Sequence, residues 1–545
     1  MSDKQVTTTS MTRVVIASSA GTAFEWYDFF IFGSLTSVIA KNFFAALDPT
    51  AGMIAALGLF AAGFAFRPLG ALIFGVMGDR VGRKATFLAT ISIMGGATFA
   101  IGLLPTYASA GMVAPILLIV MRICQGTALG GEYGGAAIYV AEHAPGDRRG
   151  WWTSWIQSSA AFGLIAALGI ILATRTITGE EAFTAWGWRV PFLASVLLLA
   201  ISMWMRLKLS ESPSFARLRD AGQVTKAPLR EAFADRANLK LVMIAFFGFM
   251  IAQGSVWYTT FFYSQVFMEK TLGIPGPTVN LIVMGMTMVS APLYVLFGSL
   301  SDRVGRKPVM VAGMAVALLA YWPGFHAIAA AANPALAAAQ VAQPVVIETD
   351  KAHCSVQFDP TGTRHFTSPC DIAKGQLASA GIAYRQLASA DGATRIHVGG
   401  RVLAVGDGHG LDAAGLKSLK TRTGDGLKAM LAGAGYPAKA DMARAQWPSL
   451  ALWLLVFVVA ASALYGPMAA ALVEMFPTRI RYTAMSLPYH VGNGWIGGFL
   501  PVTSFALVTI TGNIFAGLWY PMVFTAIAVT CALIWMKETV GKPID

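Results

Sequence analysis

GDRVGRK, residues 78–84, sets four charges among alanine, leucine, phenylalanine and glycine, and SDRVGRK at 301–307 nearly repeats it. A charged cassette written twice in an apolar chain reads as a pair of short loops between membrane helices, in a protein built from two related halves. The composition agrees: of 545 residues, 56% are hydrophobic and 12% charged, too little polar surface to cover a soluble globule. Runs such as 85–104 and 450–475 reach the roughly 20 residues a helix needs to cross the hydrocarbon core. No strand alternation separates them, so helices are expected and not a barrel.

The net charge of +12 does not point to nucleic acid, because the bases cluster in alternate short loops: Arg80, Arg83 and Lys84; Arg148 and Arg149; Arg303, Arg306 and Lys307; Arg479 and Arg481. The positive-inside rule assigns these loops and both termini to the cytoplasm. Lys4 and Arg13 precede an apolar run as in a signal peptide, but Glu25 and Asp28 interrupt that run, so a retained first helix is expected.

Twelve spans are expected, near 14–40, 52–77, 85–105, 114–141, 152–174, 187–207, 240–267, 278–300, 308–330, 449–473, 483–510 and 514–536. The fold class is therefore an all-α polytopic membrane protein of two pseudo-repeated six-helix halves. Residues 1–207 form the first half, 208–240 a cytoplasmic linker, and 241–332 with 448–545 the second half. A weaker mark supports the repeat: AEHAPGDRRG at 141–150 is echoed by VEMFPTRIRY at 473–482. Between Asp79 and Glu142 lie 63 steps of chain, but 172 separate Asp302 from Glu474. The excess falls at 333–447, where polar residues return to ordinary soluble frequency, and span parity turns this insert outward.

The insert is long enough to fold alone. VVIETD and CSVQFD read as strands, CDIAKGQLASAGIAYRQL as a helix, RIHVGG and VLAVGD as a hairpin, and 416–431 as a lysine-rich helix, giving a small α+β extracytoplasmic domain; a disordered loop is the competing reading. Cys354 and Cys370 in an oxidising compartment suggest a disulfide; free thiols, or a zinc site with His353 and His365, are the other readings of a weak ligand spacing. No metal site is assigned.

Neither heptad has the GxxxxGK[ST] spacing of a phosphate loop, so ATP-driven pumping has no support and no cofactor is expected. Charges inside spans cost about 2.5–3.5 kcal/mol each and are functional candidates by default. Glu25 and Asp28 are three apart in GTAFEWYDFFIFG, on one helical face, where paired carboxylates suit a proton carrier; pairing with a basic side chain is the plainer reading. In RICQGTALGGEYGG, Arg122, Gln125 and Glu132 form a polar stripe, and Gly126, Gly130 and Gly134 a packing stripe. A buried Arg122 needs a carboxylate, with Glu25, Asp28 and Glu132 available. Gln253, Trp257 and Tyr258 in the seventh span and Asn493 in the eleventh could line a solute cavity, though aromatic residues near span ends also serve as interfacial anchors.

Two DRVGRK cassettes, RICQG in the fourth span, FEWYDFFIFG, WGWRVPFLAS and EMFPTRIRY together resemble the major facilitator superfamily, and within it the metabolite:proton symporter branch that includes permeases for shikimate, α-ketoglutarate, citrate and proline/betaine. The resemblance covers all but about residues 333–447, and the insert departs from the short loop usual there. It implies that Asp79, Arg80 and Arg83, with Asp302, Arg303 and Arg306, form a cytoplasmic gate, and that Arg122 and the first-span acids take part in proton transfer. The expected function is proton-coupled uptake of a small organic acid or zwitterion by alternating access. It is not an enzyme; its partners are solute, protons and the bilayer, with no nucleic acid, and it works as a monomer, the insert offering a surface to an extracytoplasmic partner. An exporting antiporter and a transporter-like sensor are the alternatives. The fifth span lacks the proline-glycine signature of exporters, and a sensor would not need two gating cassettes.

Overall fold

The computed structural model describes residues 8–45, 59, 63–350, 352, 354–357 and 366–544. Before residue 208 it contains α1 (Thr8–Ser34), the short α2 (Thr36–Phe43), α3 (Arg67–Arg80), α4 (Arg83–Leu103), α5 (Val113–His143), α6 (Arg149–Thr178) and α7 (Arg189–Leu207). The expected linker is not irregular: it holds the short helices Pro213–Asp220 and Pro228–Phe233, and the next span starts at Arg236, where Asp235 accepts hydrogen bonds from the Ala237 and Asn238 N–H groups and ends the linker early. That span is α8 (Arg236–Thr271), followed by α9 (Gly276–Val304) and α10 (Arg306–Ala332).

The insert comes next: α11 (Pro334–Ala342), β1 (Val345–Thr349), α12 (Pro369–Ser379), β2 (Tyr384–Ala388), β3 (Arg395–Val398), β4 (Arg401–Ala404) and α13 (Ala413–Gly433). The chain then returns through α14 (Trp447–Met475), α15 (Arg481–Thr511) and α16 (Ala516–Trp535).

Among the described residues, ten helices are long and apolar enough to cross a membrane. The helix α1, with Arg13, Glu25 and Asp28, is not one of them, and most of the expected 52–66 stretch lies outside the described residues. Large apolar side chains stand on the outer faces, with Phe162 at 64%, Leu172 at 66% and Leu319 at 75% exposure, as a lipid-facing surface requires. Inside, Phe24, Tyr27, Phe32, Ile91 and Trp188 form one core; Tyr321, Phe325, Phe457 and Leu464 anchor another, which Tyr133 and Ala137 of α5 also join.

Glycines set the closest approaches. A Cβ on Gly126 would lie 2.4 Å from the Gly63 carbonyl oxygen, and one on Gly130 2.2 Å from that of Arg67, so the stripe on α5 is where α3 beds down. On the other side of the bundle, a Cβ on Gly254 of α8 would come 2.1 Å from the Gly492 carbonyl of α15. Both helices widen into π-type turns there, at Gln253–Trp257 and Gly492–Gly497, a geometry common at functional positions.

The insert is an α+β unit with strand order β2-β1-β3-β4; β1 and β2 are parallel and the remaining pairs antiparallel. The expected long helix stops at Ser379, because Gly381 takes a left-handed φ of +70°, and the released YRQLA pairs with β1. Residues 354–357 of the expected CSVQFD strand are irregular, and 358–359 lie outside the described residues, as do His353 and His365. Cys354 and Cys370 are joined as a disulfide with Cα atoms 5.3 Å apart. The unit sits on the bundle through Tyr384 N–H to Gly512 O (2.9 Å), Ala440 N–H to Gly273 O (2.9 Å) and Asn333 Nδ2 to Leu272 O (2.9 Å).

Replacing Gly254 by valine should force α8 and α15 apart at a cost of about 1–3 kcal/mol. Gly285→Ala, where a Cβ meets nothing within 4 Å, should leave the melting temperature unchanged or slightly raised. Equal melting temperatures for the two variants would remove the close approach.

Candidate functional site

Each heptad ends a helix, turns at a glycine with positive φ (Gly82 at 129°, Gly305 at 112°) and starts the next helix, which puts its Asp and its second Arg one turn apart. Asp79 is fully buried, pairs with Arg83 at 2.9 Å and accepts the N–H groups of Tyr482 (3.1 Å) and Thr483 (2.8 Å) in the first turn of α15. Asp302 does the same in mirror image: Arg306 at 2.7 Å, and the N–H groups of Gly150 and Trp151, both 2.8 Å, in the first turn of α6. Each aspartate therefore grips the positive end of a helix from the opposite half of the chain.

Further charges complete the seam. Arg149 reaches Glu474 (2.9 Å), Arg481 reaches Glu142 (2.5 Å), and Arg306 adds Glu474 at 3.1 Å. Glu211 accepts from the N–H groups of Arg83 and Lys84, as Glu538 does from Arg306 and Lys307. Burial pushes the Glu538 carboxyl up, but N–H bonds from Val540, Arg306, Thr539 and Lys307 outweigh it and hold it below the usual range. Arg80 and Arg303, expected in the same group, are exposed and stand outside this network. The helical turn explains why: next to its aspartate in sequence, each points about 100° away from it.

Deeper in the bundle, a small cavity of about 30 Å³ is lined by Glu25, Trp26, Arg67, Tyr133, Gln253, Trp257, Tyr258, Tyr465, Tyr489 and Asn493. It gathers residues from both halves, including Glu25, Gln253, Trp257, Tyr258 and Asn493 of the sequence set. Aromatic rings close it on the side away from the heptads: Trp26 meets Trp257 at 5.3 Å and Phe29 meets Phe262 at 5.6 Å between ring centroids. Tyr133 stacks on Tyr489 at 3.9 Å, and the Tyr489 and Tyr465 hydroxyls share a hydrogen bond. Arg67 Nε and Gln253 Oε1 are buried without a hydrogen-bond partner among the described residues, so a donor and an acceptor at the cavity remain available.

Glu25 lines the cavity, whereas Asp28 is engaged elsewhere. Asp28 turns into the first half, where its carboxylate accepts Thr98 Oγ1 (2.9 Å) and Gln125 Nε2 (2.7 Å) and lies 3.7 Å from Arg122. Arg122 also donates to Gln125 Oε1 (2.9 Å) and covers the Phe32 ring at 4.0 Å. Glu132 leaves this group altogether: it is paired with Arg206 of α7 and accepts from Thr90 Oγ1 (2.9 Å). The step of seven residues from Gln125 to Glu132 carries the latter two turns along α5, away from Asp28. Sequence reasoning missed Arg67, which lies inside the expected 52–77 span and which the rule that a charge within a span is a candidate would have found, and Arg206, in the last turn of α7, where a base reads as an interfacial anchor. It also missed the three tyrosines, which look like ordinary core. In the sequence, Glu142 and Glu474 read only as marks of the repeat.

Apolar helices from the two related parts of the chain, facing across a closed cavity and locked at one end by mirrored ion pairs, define the class: a membrane transporter of the major facilitator fold. A family model described as sugar (and other) transporter matches residues 13–232 and 217–347, and the chain belongs to that family. Its relatives are transporters, not enzymes. The proline/betaine transporter of Salmonella typhimurium is 36% identical over 317 residues, 56% of this chain and 63% of the relative. The shikimate transporter of Escherichia coli is 34% identical over 324 residues, 58% and 73%. These two bear out the resemblance to the metabolite:proton symporter branch. The chain thus spans a little under two thirds of the first relative's length. The proton:xylose symporter XylE bound to 6-bromo-6-deoxy-D-glucose aligns over 98% of this chain and 97% of its own with a TM-score of 0.58 at 16% identity. The human organic anion transporter MFSD10 aligns over 96% and 99% with a TM-score of 0.52 at 14% identity. Both show the fold, and the protein is a multi-pass membrane protein.

Asp79→Asn strips Arg83 of the one carboxylate it is paired with among the described residues, and should destabilise the closed network by about 3–5 kcal/mol. Asp302→Asn should cost less, since Glu474 still holds Arg306, and Arg80→Gln almost nothing. Thermal unfolding of the three purified variants checks that order; a loss for Arg80→Gln matching that for Asp79→Asn would contradict it.

Proposed function

We propose that the protein is a secondary active transporter that couples inward proton flow to uptake of a small organic acid or zwitterion by alternating access. The observation that carries this reading is the cavity between the halves, where unpaired donor and acceptor atoms of Arg67 and Gln253 and the Glu25 carboxylate meet an aromatic wall. A carboxylate on the solute suits Arg67, and the tyrosines and amides suit its remaining polar groups. The names of the relatives, proline/betaine and shikimate transporters, support solutes of this size and polarity.

In this reading the Asp28–Arg122 pair is the proton-coupling element. Protonation of Asp28 would free Arg122 and loosen the link between α1 and α5, biasing one arrangement of the halves over the other. Glu25, at the cavity, is the second proton site, while Glu132 serves to hold α5 against α7. The heptad network is the cytoplasmic gate, closed here; its opening requires the seam at Asp79 and Asp302 to part. The chain has twelve spans in two halves, 1–207 and 241–332 with 448–545, joined by 208–240; both termini are cytoplasmic and the 333–447 domain faces the periplasm. One chain contains a complete cavity and both sides of the gate, which supports a functional monomer.

Proteoliposomes with an imposed pH gradient test the coupling. Asp28→Asn should abolish gradient-driven accumulation yet retain counterflow exchange, whereas Arg67→Gln should weaken solute binding at least tenfold, the order expected when a charge-assisted hydrogen bond worth about 1.5–3 kcal/mol is lost. Accumulation by Asp28→Asn at the wild-type level would remove that residue from coupling.

A further inference from the structure

A second cavity, about 510 Å³, lies where the insert meets the end of the bundle remote from the heptads. Its volume is that of a small-molecule site. The two walls differ in chemistry. Pro501, Val502 and Phe505 of α15 provide an apolar floor, while Asp371 and Gln376 of α12 and Lys420 of α13 face it from the insert.

The insert wall is built rigidly. The Cys354–Cys370 disulfide ties the chain before α12 to its first turn, and Asp371 accepts both the N–H (2.9 Å) and the hydroxyl (2.6 Å) of Ser355. Ser368 caps the helix by accepting the Asp371 N–H at 3.1 Å. Asp371 is thus committed to Ser355. Lys420 is half-buried and makes no hydrogen bond or ion pair among the described residues. Burial pushes its ammonium below the usual range, with Asp371 pulling the other way, so an anion at this point would favour the charged form.

We propose that this cleft is a binding site for an amphipathic anion, its carboxylate or phosphate on Lys420 and Gln376 and its apolar body on Val502 and Phe505. A soluble carboxylate with a short aliphatic body and an anionic phospholipid present the same chemistry. Val266 at 40% and Phe505 at 41% exposure leave the floor open to the side, so either could enter. The occupant would bridge the insert to the outer half of α15, the helix whose inner half carries Asn493 at the central cavity and which Tyr384 already holds through Gly512. Occupancy is therefore a means for the insert to bias the movement of α15. The site does not depend on what the central cavity carries.

The test uses the full-length protein. In nanodiscs of mixed phosphatidylglycerol and phosphatidylcholine, co-purified lipid is quantified; separately, in detergent, melting temperature is followed against octanoate. Lys420→Gln removes the charge and keeps a polar end on a slightly shorter side chain, Val502→Trp fills the floor without a charge change, and Lys428→Gln, on the exposed face of α13, is the control. Enrichment of phosphatidylglycerol that falls about fivefold in Lys420→Gln, the change expected for one basic side chain at a membrane surface, identifies the lipid. An octanoate-dependent rise in melting temperature lost in the same variant identifies a soluble ligand. No preference for either anion in the wild type, or wild-type binding in both Lys420→Gln and Val502→Trp, overturns the proposal.

Discussion

A guanidinium taken out of water must be met by carboxylate and carbonyl oxygen, or the fold that buries it does not hold. Arg83 and Arg306 are each fully buried here, and the way their charge is met ties the two halves of the molecule together. Each is held by the aspartate four residues before it, and that aspartate spends its other lone pairs on the first turn of a helix from the opposite half. The bundle's two halves can be in register only when both aspartates reach those helix starts. The glycine approaches of α3 to α5 and of α8 to α15, and the aromatic closure over the central cavity, all sit within a frame set by this seam.

The seam is not symmetric in strength. Arg306 has Asp302 and Glu474 as carboxylate partners, with Glu474 also serving Arg149, while Arg83 relies on Asp79 and on backbone carbonyls such as Thr478 O at 2.7 Å. A network with a shared acid loses one contact at a time, whereas a single pair is lost at once. The repeat of the heptad gave the two sides the same geometry; residues outside it made them unequal.

Much of the architecture was legible in the sequence because hydrophobic runs and charged loops obey the bilayer, which acts on every residue in the same way. The insert's position followed from unequal spacing, yet its parallel β1–β2 pair did not, because the break at Gly381 depends on a backbone conformation that composition does not display. Spacing along a helix placed Arg122 beside Gln125 correctly and put Glu132 with them wrongly, since a shared face says nothing about which neighbour each turn of the helix meets. The tyrosines around Tyr489 escaped notice for the same reason: a cavity is made by helices far apart in sequence, and no single span announces it. Arg80 and Arg303 were grouped with their neighbours by motif, where the turn of the helix sends them outward.

The point at which the insert leaves the bundle is also the point at which it returns. Gln446 N–H donates to Ala331 O at 2.8 Å, so the last turn of α10 and the start of α14 are stitched together before either reaches the inserted fold. Chain ends this close let a domain be added without altering the path of the helices on either side. The bundle could accordingly be re-closed by a tight turn at 332–446, and the same junction marks where an unrelated fold, a reporter or an epitope, could be housed without redrawing the transporter beneath it.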